Sequence, residues 1–126
     1  MLVRWFLLMA FLLLGSVARA GAPVLESLAV LEDASGSASI QSIALQPERF
    51  TPLQGASFTG GYTRSVYWLR LRLSVPGGET WLEALPPILD DLRLYVPDAA
   101  LAGGYQEHRH GDTHAFATRE VPYRGF

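Results

Sequence analysis

The chain contains no cysteine, so no disulfide framework can hold it together and no thiol nucleophile is available to it. Lysine is also absent, all ten basic residues being arginine. That usage reflects genome composition before function, although the planar arginine fork makes paired contacts that an ammonium cannot. Beyond Ala20 no apolar run approaches the roughly 18 residues that a spanning helix needs. The sequence also lacks a Gly-x-Ser-x-Gly elbow, a phosphate-cradling glycine loop, and any carboxylate pair whose spacing stands apart from the surface charge. Asp90 and Asp91 are adjacent, and on a strand neighbouring side chains face opposite ways, so the two cannot share one substrate. No catalysis is expected.

The 126 residues leave room for one domain. Residues 1–20 carry Arg4, an apolar run from Trp5 through Leu14 and on to Ala18, and a small-x-small ending at Ala18, Arg19 and Ala20. This is the pattern of a secretory signal peptide, with cleavage expected after Ala20. An uncleaved membrane anchor is the alternative. Either way the remainder, residues 21–126, leaves the cytoplasm for the periplasm. That remainder keeps eight of the ten Arg and all twelve acidic residues, a formal charge of −4. Nucleic acid is thereby excluded as a partner, since phosphate binding needs clustered positive charge. Without disulfides the domain rests on its hydrophobic core, for which its length suffices.

Several short elements succeed one another. Leu28 to Asp33 reads as a strand ending at the small, polar turn Ala34-Ser35-Gly36-Ser37. Ile40 to Leu45 suits one or two helical turns before Pro47, with Ser39 as the cap. Phe50 to Gly61, rich in Gly, Pro, Thr and Ser, reads as a connecting loop. The clearest signal is Tyr67 to Val75, where Tyr67, Leu69, Leu71, Leu73 and Val75 alternate with Trp68, Arg70, Arg72 and Ser74, giving a half-buried strand of an antiparallel sheet. Pro76-Gly77-Gly78 is expected to turn this strand into a hairpin with Thr80 to Leu85. A third strand is expected from Leu89 to Val96, after Pro86-Pro87 and before Pro97-Asp98. The fold class is therefore mostly β, an antiparallel sandwich or jelly roll.

Four stretches occur in a telling order: Leu31-Glu32-Asp33-Ala34-Ser35-Gly36, then Gly61 through Leu73 with Tyr67-Trp68 and the Leu/Arg alternation, then Leu89-Asp90-Asp91-Leu92-Arg93-Leu94-Tyr95, then Gly111-Asp112 with Phe116 beyond. Together they resemble the second type of extracellular domain of bacterial 7TM receptors with diverse intracellular signalling modules. The resemblance implies a jelly-roll sandwich similar to carbohydrate-binding modules, and a carbohydrate or another small periplasmic molecule as ligand. Members of that family usually continue past the equivalent of residues 121–126 with another apolar strand and the membrane helices. A sandwich lacking its last strand, with an open sheet edge, is therefore expected. The membrane would be reached only through receptor regions outside this sequence or through an uncleaved leader.

Candidate ligand-binding residues are Trp68, Arg70 and Arg72 on one strand face, Trp81 across the expected hairpin, and Asp91 and Arg93. Aromatic rings stack on the apolar faces of sugars, while Arg and Asp bond to hydroxyls. The same spacing also arises without a ligand, from a Trp in the core and arginines paired with Asp91 or Glu83 on neighbouring strands. His108, His110 and His114 with Asp112 are close enough in sequence to suggest zinc, but no distant second cluster completes a tetrahedral set and Gly111-Asp112 already reads as a turn, so no metal or other cofactor is expected. A protein-interaction or structural module, or a non-functional receptor fragment, is the alternative to ligand sensing. The double substitution Trp81→Ala with Arg70→Ala is predicted to abolish ligand binding with the fold intact by circular dichroism; loss of the fold instead would mark these side chains as structural.

Overall fold

The computed structural model describes residues 21–77, 80–85, 88–115 and 117. The expected leader, Gly78 of the expected turn, Pro86-Pro87, Phe116 and the segment from 118 onward lie outside the described residues. Among the described residues, five antiparallel strands form a three-stranded and a two-stranded sheet. The chain is thus mostly β and antiparallel, as its alternation indicates.

Strand β1, Val24–Asp33, is the centre of the larger sheet, with β2, Thr51–Pro52, on one side and β3, Val66–Ser74, on the other. Its run Leu28-Ala29-Val30-Leu31 is apolar at consecutive positions, as a strand covered on both faces requires. Leu28, Ala29 and Leu31 are accordingly buried. The register against β3 pairs Leu28 with Leu71, Ala29 with Arg70, Val30 with Leu69 and Leu31 with Trp68. Between Leu25 and Ser27 the register shifts at a bulge. Leu25 and Leu28 are three apart and would otherwise face opposite ways; the extra residue Glu26 lets Leu25 sit opposite Leu73, on the aliphatic face shared with Leu28 and Leu71.

Asp33 ends β1 and organises the turn beyond it. Its carboxylate accepts from Ser35 N–H at 3.1 Å, Ser35 Oγ–H at 2.6 Å, Gly36 N–H at 3.1 Å and Ala38 N–H at 2.9 Å. The turn needs a positive φ at Gly36, which is +63°. Helix α1, Ile40–Ala44, begins at Ser39 in a capping box with Ser42 and buries Ile43. A 3₁₀ turn, Pro47–Arg49, leads into β2. The stretch expected to be loop throughout therefore contains a two-residue strand, registered Ala29 to Pro52 and Val30 to Thr51; sequence pattern does not show so short an edge.

Two expectations need correction. Residues 80–85 form no strand, and the antiparallel partner of β3 is β1. The apolar side chains of that segment stay exposed: Trp81 is 67% exposed, and Leu82 and Leu85 are exposed too. By contrast, β1 offers an apolar run that gains burial on both faces. The third expected strand starts late: β4 is Leu92–Pro97. Upstream of it, the Leu89 and Asp90 carbonyls accept from Asp112 N–H at 2.8 Å and Thr113 N–H at 3.1 Å. This reversal comes just after Gly111, at φ +123°, where a Cβ would collide with the Asp90 carbonyl. β4 pairs with β5, Tyr105–His110, a strand whose Gly103-Gly104 turn and Tyr-x-x-His alternation went unread in sequence.

The Asp33 carboxyl sits below its ordinary value of 3.8, held there by the Ser35 hydroxyl first and by backbone N–H groups from Ala38, Ser35 and Gly36, against the opposing effect of burial. A depressed native value means that the charged form stabilises the fold at any pH above 3.8, and that this contribution is lost as pH falls from there through the lower native value. Melting curves of the wild type and Asp33→Asn across acid pH should show the variant lower at neutral pH and the gap closing below 3.8; a gap that stays constant would sink this account of the turn.

Candidate functional site

The two sheets meet where Trp68 of β3 stacks on Tyr95 of β4, ring centroids 5.8 Å apart and planes at 25°. Trp68 Nε1 is buried and has no hydrogen-bond partner among the described residues. The indole is therefore there for its packing, and one of its faces is taken by tyrosine. Around Tyr95 runs a chain of charges. Its hydroxyl donates to Glu107 Oε1 at 2.9 Å, and Glu107 binds Arg109 at 3.1 Å and reaches Arg93 at 4.0 Å. Arg93 places Nε and Nη2 on Asp91 Oδ2 at 3.0 and 2.8 Å, and the other Asp91 oxygen is 3.3 Å from His114 Nε2.

This arrangement has an electrostatic reason. Arg93 and Arg109 are directly opposite in the β4–β5 register, and like charges facing across strands destabilise a sheet. Glu107 and Asp91 neutralise them. The Arg93 fork is the first cause that keeps the Asp91 carboxyl below its ordinary range, and Arg109 does the same for Glu107. Burial raises the Tyr95 phenol above 10.0, with Glu107 adding to it. All these charged groups are partly exposed, so the pairs contribute little individually.

The six expected ligand residues do not gather at one place. Trp68, Asp91 and Arg93 belong to this stack and network. Arg70 donates to the Pro47 carbonyl at 3.3 Å and lies over the Phe50 ring at 4.6 Å. It therefore does not pair with Asp91 or Glu83 as expected. Arg72 is opposite Ser27 on β1. Trp81, placed across a hairpin that does not form, stands exposed. The histidines form no metal set either: His108 and His110 share one face of β5, opposite Leu94 and Leu92, and His114 is bonded to Asp91. Among the described residues no group of three or more His, Asp or Glu gathers in a way that could hold a metal ion.

A cleft of about 380 Å³ opens instead on the other face of the larger sheet, over Val30 of β1. Its walls carry Glu32, Arg49, Thr51, Phe58 and Tyr67. Register accounts for three of them: Val30 faces Thr51 on one side, and Glu32 faces Tyr67 on the other. Phe58 packs on Tyr67 with centroids 4.8 Å apart and planes at 59°. The Tyr67 hydroxyl donates to the Gly60 carbonyl at 3.3 Å, and any side chain at Gly60 would run into the Tyr67 ring. The loop is thus latched down by one tyrosine. Tyr67 was readable as a core-facing strand residue, but nothing in the spacing shows that the loop just upstream folds back onto it. Replacing Tyr67 with Phe removes the latch bond and is expected to cost about 0.5–1.5 kcal/mol in a denaturant titration; Gly60→Ala, which forces the ring aside, should cost more, and equal midpoints for all three proteins would refute the latch.

No curated protein matches the chain. A family model does match it, over residues 25–126, taking in every strand from β1 to β5 except the first residue of β1. With the signal-bearing stretches from Leu31 to Asp112 all inside that span, the chain belongs to the 7TMR-DISM extracellular 2 family, the exported sensing domains of 7TM receptors.

Proposed function

We propose that this chain is a non-catalytic ligand-sensing domain that binds a carbohydrate or another small molecule in the periplasm. The observation that carries the reading is the family match over residues 25–126, because extracellular domains of this family stand in front of a membrane receptor. The likeness to jelly-roll carbohydrate-binding modules belongs to the same reading. A cleft with ring, carboxylate, guanidinium and hydroxyl groups supports it, since small-molecule sites combine apolar walls with a few placed polar groups. No helix of the described residues is long and apolar enough to cross a membrane. Occupancy would therefore be passed on by receptor regions beyond these residues, through a shift in conformational preference.

A second reading has its own observation. Leu69 and Leu73 on β3 are 43% and 40% exposed, in line with half-buried Leu71 between them. Such a row suits a protein partner, or a second copy of a receptor, as well as it suits further covering by the same polypeptide. Under that reading the domain is an interaction or structural module.

A thermal melt of the 126-residue chain against oligosaccharides, amino acids and carboxylates separates the two. A ligand that binds only the native state at about one hundred times its Kd adds about 2.7 kcal/mol. An upward shift with one compound class supports sensing; a midpoint that no compound moves, but that rises with protein concentration, supports the interaction module.

A further inference from the structure

Resting on the sensing reading, we propose that the ligand site is the cleft over Val30, and that it takes a neutral polyhydroxylated molecule of mono- or disaccharide size. The residues that sequence spacing points to are engaged with one another or dispersed. Trp68 gives a ring face to Tyr95, Arg93 and Asp91 hold each other, and Arg70 is seated over Phe50. The groups of the cleft retain bonding capacity. Ser65 donates to Glu32 Oε1 at 2.6 Å, and among the described residues Glu32 Oε2 has no partner. Arg49 spends one N–H of its five on Gln46, at 2.8 Å. Thr51 and the acceptor side of the Tyr67 hydroxyl complete the polar set.

The charge pattern selects the ligand class. One carboxylate and one guanidinium leave the cleft without net charge, so an anion meets Glu32 and a cation meets Arg49. A hydroxyl suits both, donating to the first and accepting from the second. Among the described residues Glu32 and Arg49 make no ion pair with each other. Neither charge is therefore neutralised by the other, and each is left to bond a hydroxyl of the ligand. Phe58 and Tyr67 supply apolar wall for the C–H face of such a ring. The volume, about 380 Å³, is at the small end for ligand sites.

The latch makes this cleft a built feature. Glu32 and Tyr67 are cross-strand neighbours on rigid backbone, and Gly60 allows the loop carrying Phe58 to close on Tyr67. The site's aromatic wall thus comes from the loop (Phe58) and from β3 (Tyr67), and its charged groups from β1 and the 3₁₀ turn.

The test titrates glucose, cellobiose and mannitol, and in parallel glutamate, arginine and succinate, into the full chain and three variants, followed by calorimetry and by melting midpoint. Arg49→Ala and Glu32→Gln alter exposed side chains, and Glu26→Gln at the bulge serves as the control. The expected result is binding of a sugar or polyol to wild type and to Glu26→Gln, weakened about tenfold or more by Arg49→Ala and by Glu32→Gln. Sugar binding that survives both cleft variants would overturn the placement while leaving the sensing reading intact. Binding of the charged compounds alone would overturn the ligand class. No binding of any compound would sink both.

Discussion

The core and the cleft both depend on β1 having neighbours on both edges and cover on both faces. A strand in that position needs apolar residues without interruption, and Leu28-Ala29-Val30-Leu31 provides them. One face sets Ala29 and Leu31 beside Arg70 and Trp68 of β3; the other sets Leu28 and Val30 beside Leu71 and Leu69, with Val30 at the cleft. Burial of Leu31 at 4% exposure and the placement of Thr51, Glu32 and Tyr67 around Val30 are thus two results of one pairing pattern. A slip of one residue would reverse both faces together. The Glu26 bulge and the Asp33 turn close the strand at its two ends and hold the register between them.

The polar groups divide by how much of their bonding is already met. On the β4–β5 hairpin each charge answers another, and the neutralising of Arg93 and Arg109 is reason enough for Asp91 and Glu107 to be there. Around the cleft, Glu32 and Arg49 are each held by one neighbour and retain further capacity. A ligand at the hairpin would have to replace bonds that the protein makes with itself, and the net gain of such an exchange is small. At the cleft it meets groups whose bonding is not fully met.

The sequence made β1, β3, the helix and its serine cap readable because each rests on local pattern: alternation, a consecutive apolar run, or capping chemistry. Even the turn after Asp33 was visible in its small polar residues. What stayed hidden was the pairing. Leu69 and Leu71 look the same whether their partner is a nearby hairpin strand at 80–85 or β1 far upstream, and burial made the choice. The error about Trp81 came directly from that one. The cleft was hidden for a similar reason: Glu32 and Arg49 are 17 positions apart, Phe58 lies in a Gly-, Pro-, Thr- and Ser-rich loop whose composition does not show where it folds, and they converge only once β2 is added to β1. Family likeness survived these errors because it rested on local stretches.

The Trp68 stack also gives the domain an optical property. Among the described residues there are two indoles in opposite surroundings: Trp81, largely hydrated, and Trp68, packed on a tyrosine with its Nε1 shielded from solvent. The first emits as a tryptophan in water does, whatever the fold is doing. The second emits at shorter wavelength and within transfer distance of Tyr95 only while the two sheets are together. The colour of the protein's own fluorescence therefore reports, with no label attached, whether its two sheets are joined.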